Sequence, residues 1–203
     1  MKYINLRTDY NTAQQAQEEA LAQVINGAEE TLFINELDDV YTAGTSANIE
    51  TDYFNKDIPL VETGRGGEIT YHGPGQIVAY PIINLNNREK DLKKYIQNLQ
   101  AWIINTLKHF NIDAFTTDDV GVWVKLDNGS IKKIAAIGIR VRKWVTFHGI
   151  ALNVNTDLSK FNGIVPCGIT QHGVTSIADI LGKEINIEEV EDILVKEFEK
   201  IFY

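Results

Sequence analysis

Sulfur is almost absent from this 203-residue chain, which has one cysteine, Cys167, and one methionine. A lone cysteine closes no internal disulfide and supplies no multi-thiolate zinc site. Proline is scarce at four residues, and no Pro/Ser-rich linker, repeat or low-complexity tract interrupts the chain. It therefore reads as a single catalytic-size domain over residues 1–203. Basic residues are outnumbered, 19 Lys+Arg against 28 Asp+Glu, for a formal charge of −9. That balance argues against a protein that coats nucleic acid or an anionic membrane. No apolar run approaches the ~18 residues of a membrane span. The opening MKYINLRTDYNTAQQ lacks the apolar stretch of a secretion signal, so a cytoplasmic protein with a reduced thiol is expected. Metal-type spacings such as CxxC or HExxH are missing, as are the GxGxxG and GxxxxGK[ST] nucleotide motifs. No metal and no cofactor is expected.

What is present is an ordinary globular composition, 44% apolar and 23% charged. Ala16, Ala20, Leu21, Val24 and Ile25 recur at helical spacing over 12–25, with Gly27 as a stop. TLFINEL from Thr31 and VYTAG from Val40 read as short strands. Residues 68–72 and 76–83 are β-type runs around Gly73-Pro74-Gly75, a tight turn that predicts a hairpin. Leu92, Tyr95, Ile96, Leu99, Trp102, Ile103, Leu107 and Phe110 mark an amphipathic helix of about 20 residues. Strands over 120–126 and 131–141 flank Asp127-Asn128-Gly129, whose Asn-Gly accepts positive φ, and 145–155 supplies one more. Asn186 with Glu189 has the pattern of a capping box for a last helix. Strands and helices come in blocks, which favours α+β: a mixed β-sheet flanked by helices.

Three stretches are too constrained for plain scaffold. Residues 65–76, RGGEITYHGPGQ, hold four glycines and a proline, with Arg65 and His72 at the two ends of Glu68–Tyr71; such backbone allows close approach to a ligand. Residues 125–143 hold six basic residues and one acidic, +5 inside an acidic chain, with Ala135, Ala136 and Gly138 leaving room beside Lys133. Cys167 sits between Pro166 and Gly168. A thiol of pKa ~8.5 is only a few per cent thiolate at pH 7, so a catalytic one needs a helper. Lys133, His72, His148 and His172 are the candidates, and spacing does not choose among them.

Together these stretches resemble the octanoyltransferases of lipoate biosynthesis. The matching segments are RGGEITYHGPGQIVAYPIINL from Arg65, KKIAAIGIRVRKWVTFHGIALNVNTDLSKF from Lys132 and IVPCGI from Ile164, with VYTAGTS and GVTSIADILG as weaker matches. The resemblance implies a fold like the catalytic domain of biotin and lipoate protein ligases. It implies Cys167 as nucleophile and Lys133 as its partner. It also implies an acyl pocket of Arg65, Gly66, Gly67, Glu68, Ile69, Thr70, Tyr71 and His72, then Ala136, Ile137 and Gly138, then Gly149, Ile150 and Ala151. The implied reaction moves an octanoyl group from octanoyl-acyl carrier protein to a lysine of lipoyl domains, those of 2-oxoacid dehydrogenase complexes and of the glycine cleavage H protein, through a Cys167 thioester. The alternative is an ATP-dependent lipoate- or biotin-protein ligase of the same fold.

Overall fold

A computed structural model describes residues 1–165 and 173–203. Its strands are β1 (Lys2–Thr8), β2 (Thr31–Leu37), β3 (Val40–Ala43), β4 (Leu60–Glu62), β5 (Ile69–His72), β6 (Gln76–Ile82), β7 (Ala114–Phe115), β8 (Val122–Lys125), β9 (Ile131–Arg142) and β10 (Val145–Asn153). Its helices are α1 (Tyr10–Ile25), α2 (Ile49–Asp52), α3 (Leu92–Lys108), α4 (Ile177–Leu181) and α5 (Ile187–Phe202).

Seven strands form one mixed sheet in the order β1-β2-β6-β10-β9-β8-β7, parallel only between β1 and β2. Alternation along β6 and β10 sends Ile77, Ala79, Ile150 and Leu152 to a core with Trp102 of α3 and Phe198 of α5. Val78, Tyr80, Phe147 and Ala151 go to the other face, under Tyr10, Ala13, Leu21 and Val24 of α1. Both faces are covered, which is why β10 is buried at every residue. Helix starts are fixed by side chains that satisfy orphan N–H groups. Asp9 accepts from Thr12 N–H at 3.0 Å, Asp91 from Lys94 N–H at 3.0 Å and Asn186 from Glu188 N–H at 2.9 Å. The predicted mixed sheet flanked by helices is the observed one.

One strand pairing differs from the prediction. The Gly73-Pro74-Gly75 turn is there, with Gly75 at φ +78° and Gln76 N–H donating to Gly73 O at 3.2 Å, but its flanks do not form a hairpin. β5 pairs with β3, which also pairs with β4 in a separate three-stranded sheet, whereas β6 joins β2 and β10. The turn carries the chain from one sheet to the other. Its Gly75 lies against the backbone of Asn155, where a Cβ would come within 2.6 Å of the carbonyl carbon. The hairpin at Asp127–Gly129 forms as its sequence dictates, with Gly129 at φ +82°. Among the described residues no helix is long and apolar enough to cross a membrane.

Candidate active site

A cavity of about 370 Å³ lies on the α1 side of the large sheet, under the segment that leads into β5. Its floor is made by neighbouring positions of β6, β10 and β9. Val78 pairs with Ala151 and Ala151 with Ala136, while Gly149 faces Gly138. These side chains are small where the opposite face of the same strands is large, and the missing volume is the cavity. Its roof includes Gly66, Gly67 and Thr70, and Gly66 N–H donates to Ile139 O at 3.0 Å across the edge of β9.

Two backbone irregularities bring polar side chains to this floor. Lys133 and Ala136 are three positions apart, so strict alternation would put them on opposite faces. Between β8 and β9, however, Val122 faces Ala135 while Trp123 faces Lys133, leaving Ile134 as an extra residue. This β-bulge keeps Ile134 and Ala135 together in the α3/α5 core and re-aims Lys133 onto the cavity face. There Lys133 is 6% exposed, and its Nζ lies 4.7 Å from the centre of the Trp123 ring. The second irregularity is His148, at φ +56° within β10. Its N–H donates to Oε1 of the buried Gln17 at 2.8 Å, and its ring stacks on Phe147 and turns its edge toward Tyr80.

Arg65 and His72 complete the roof. The Arg65 guanidinium is held by the Thr42 carbonyl at 2.6 Å and the Thr42 hydroxyl at 2.9 Å, and its stem crosses Gly138, where a Cβ would come within 2.9 Å of Cδ. His72 Nδ1 lies 2.7 Å from Gln76 Oε1. The Gln76 amide donates to Tyr71 O and to Asn153 Oδ1, so its oxygen accepts and Nδ1 carries the hydrogen. Asn153 donates to Thr175 O at 3.0 Å, and Thr175 N–H to Lys133 O at 3.0 Å. A chain of hydrogen bonds thus ties His72 to the strand position of Lys133. Burial lowers the His72 pKa to about 4, with Arg65 lowering it further and the Gln76 bond opposing. Burial lowers His148 to about 3, reinforced by Arg65, Arg140 and His72. Both imidazoles are therefore neutral at pH 7.

The Lipoyl protein ligase A/B catalytic domain family matches over residues 9–199. An octanoyltransferase of Rickettsia prowazekii is 49% identical, covering 100% of this chain and 99% of its own. One of Wolbachia pipientis is 51% identical, covering 98% and 97%. The chain belongs to the octanoyltransferases of this lipoyl ligase-like family. Solved structures agree on the fold. A bipartite lipoate protein ligase of Thermoplasma acidophilum superposes with a TM-score of 0.79 at 20% identity, covering 98% of this chain and 82% of that one. A biotin protein ligase of Aquifex aeolicus gives 0.62 at 16%, covering 98% and 69%.

For an octanoyltransferase the placement of the expected residues is informative. Arg65, Gly66, Gly67, Glu68, Thr70 and His72 line the cavity with Lys133, as do Ala136, Ile137 and Gly138 and then Gly149, Ile150 and Ala151. Ile69 and Tyr71 are not among its lining residues. They alternate to the other face of β5 and pack with Tyr41 and Phe161, so the expected run 65–72 enters the cavity only in part. Cys167 and His172 lie outside the described residues. Tyr10, Ser46, Val78, Tyr80, Ile96, Asp119, Val120 and Ile139 also line the cavity, and sequence reasoning singled out none of them for the site. Tyr10 and Tyr80 sit inside apolar patterns of a helix and a strand, where an aromatic residue gives no separate signal.

Proposed function

We propose that this chain moves an octanoyl group from octanoyl-acyl carrier protein to a lysine of lipoyl domains, through a thioester on Cys167. In the first step the Cys167 thiolate attacks the thioester carbonyl of the donor, and the carrier thiol leaves with a proton. In the second step the acceptor lysine attacks the enzyme thioester, the C–S bond breaks and an amide forms. Amide formation from a thioester is downhill, so ATP has no part in this scheme.

The observation that carries this reading is Lys133, a buried lysine beside a cavity floor built largely from Val78, Ala136, Gly138, Gly149 and Ala151. An ammonium within ~4 Å of a sulfur anion favours the thiolate by on the order of 4 kcal/mol before desolvation, at an effective dielectric of ~20. As a neutral amine the same group takes the proton of the incoming lysine, and the pair titrates together. The backbone supports a meeting of residues 34 positions apart. Gly173, six residues after Cys167, accepts from Lys133 N–H at 3.0 Å, and Val165, two residues before it, is tied to Asp52 O at 2.9 Å.

Mass spectrometry of the purified chain after mixing with octanoyl-acyl carrier protein tests the scheme. One octanoyl mass shift is expected, absent in Cys167→Ala. An adduct that persists in that variant would place the nucleophile elsewhere, and turnover that requires ATP would favour a ligase.

A further inference from the structure

One end of the cavity carries more polar groups than a saturated acyl chain can use. Tyr10, Tyr80 and His148 are each 4% exposed and all three line it. Among the described residues neither phenol hydroxyl makes a hydrogen bond, and neither does either ring nitrogen of His148. The Tyr80 and His148 ring centres are 6.3 Å apart, and Tyr10 packs in the same cluster as Tyr80. This end lies away from Lys133. Tyr80 stands beside Gly149 and Gly138, five residues along β9 from Lys133, or roughly 13–16 Å of strand. An extended eight-carbon acyl group, seven bonds at roughly 1.2 Å each or about 8 Å in all, is shorter than that strand span, whose two ends are narrowed by the Lys133 and Tyr80 side chains that both line the cavity.

None of these atoms is sealed in the protein without a partner; they face the cavity, and three such groups at one end form a ready set of donors and acceptors. The His148 ring is neutral because burial lowers its pKa, and both phenols carry their protons at neutral pH, burial raising their pKa further. A hydroxyl on an apolar chain, both donor and acceptor, complements such a set.

We propose that Tyr10, Tyr80 and His148 form a hydrogen-bonding subsite for the far end of the acyl chain, so that the cavity accepts medium-length acyl groups bearing a terminal hydroxyl as well as plain ones. The assignment rests on the acyl-transfer reading for the class of ligand, but its test needs no turnover. Binding of 8-hydroxyoctanamide and of octanamide to the whole chain is measured by titration, in the wild type and in Tyr10→Phe/Tyr80→Phe. An apolar pocket end would weaken the hydroxyl ligand tenfold or more. The expected result is that the wild type binds 8-hydroxyoctanamide at least as tightly as octanamide, and that the double variant disfavours it at least tenfold. A higher Kd for the hydroxyl ligand in the wild type, the same ratio in the double variant, or binding of neither amide would each overturn the assignment. Loss of octanoyl transfer from acyl carrier protein, with the two-amide ratio as expected, would instead sink the acyl-transfer reading and leave the subsite standing.

Discussion

β6, β9 and β10 have two faces of opposite character. Toward α3 and α5 they present Ile77, Ile134, Ile150 and Leu152, locked against Trp102 and Phe198, whose rings meet edge-on at 4.8 Å. Toward α1 the same strands present Val78, Ala136, Gly138, Gly149 and Ala151 and leave room for a ligand. Backbone and hydrogen-bond ladder are shared, so side-chain volume at alternate positions decides which face is core and which is site. The α3/α5 face carries apolar groups apart from Thr146, whose hydroxyl accepts from the Tyr95 hydroxyl of α3, whereas the cavity face receives Lys133 and His148 through a bulge and a left-handed residue. Chemistry enters this sheet where its periodicity breaks.

The largest effect should come from removing the amine at the bulge. Lys133→Ala is expected to slow octanoyl transfer by about 10³-fold, within the range for a lost acid–base group, while leaving the far-UV spectrum unchanged. A rate within tenfold of wild type would mean that the bulge delivers a side chain without a catalytic task. Adjacent residues on opposite faces sharpen the contrast. Ala151→Phe should fill the cavity and weaken octanamide binding at least 100-fold. Leu152→Ala should cost about 2–5 kcal/mol in urea unfolding and leave that binding within twofold. If Leu152→Ala abolished binding without loss of stability, the two faces would not be independent.

The legible parts of this fold are those governed by local pattern. The apolar stripes predict α3 and α5 to within about two residues, and Asn128-Gly129 predicts its hairpin, because helix period and positive φ are properties of a few neighbouring residues. The partner of β5 was not legible. Both flanks of Gly73–Gly75 look like strands, and only packing against Tyr41 and Phe161 assigns β5 to the smaller sheet. The turn between β9 and β10 also gives no signal. Lys143 and Trp144 take φ of +51° and +63° without Asn or Gly, held by Asn86 Nδ2 donating to Lys143 O at 2.9 Å and Leu85 N–H to Trp144 O at 2.7 Å. At the site, the glycine-rich segment and the small residues after Lys133 marked the cavity from sequence. The bulge at Ile134 and the left-handed His148 did not show, since nothing in KKIAAIG or FHGIA distinguishes an in-phase residue from one out of phase.

Acid should expose the polar character of the cavity face. His72 and His148 bind protons near pH 6.5 when unfolded but only near pH 4 and 3 in the fold. Between those limits the unfolded chain holds more protons, so stability is complete above about pH 6.5 and falls as pH drops. The loss approaches roughly 3 kcal/mol per ring by pH 4. His148→Asn, whose side chain tolerates positive φ, should flatten the fall of unfolding free energy between pH 6.5 and 4 relative to wild type. An unchanged slope would mean that His148 is hydrated or paired in the fold and that this face is less buried than its exposure implies.

The smallest expected effect lies where each face meets its surroundings. On the cavity side β9 ends in Arg140 and Arg142, followed in the turn by Lys143, all exposed, with both guanidinium groups over the Phe147 ring. On the other side α5 displays Glu188, Glu189, Asp192 and Glu199. A carrier protein with an acidic surface would meet the basic arm and be turned away from α5, because local fields steer encounter more than net charge does. Arg142→Glu/Lys143→Glu should raise KM for octanoyl-acyl carrier protein about three- to tenfold at low salt and leave kcat alone. The difference should shrink at 0.5 M salt, as the Debye length falls toward roughly 4 Å. Glu189→Lys/Asp192→Lys, the same size of charge change on α5, should leave KM within twofold. Equal KM shifts from both pairs would show that total charge governs the encounter and that the two faces, so different inside, are equivalent to an approaching donor.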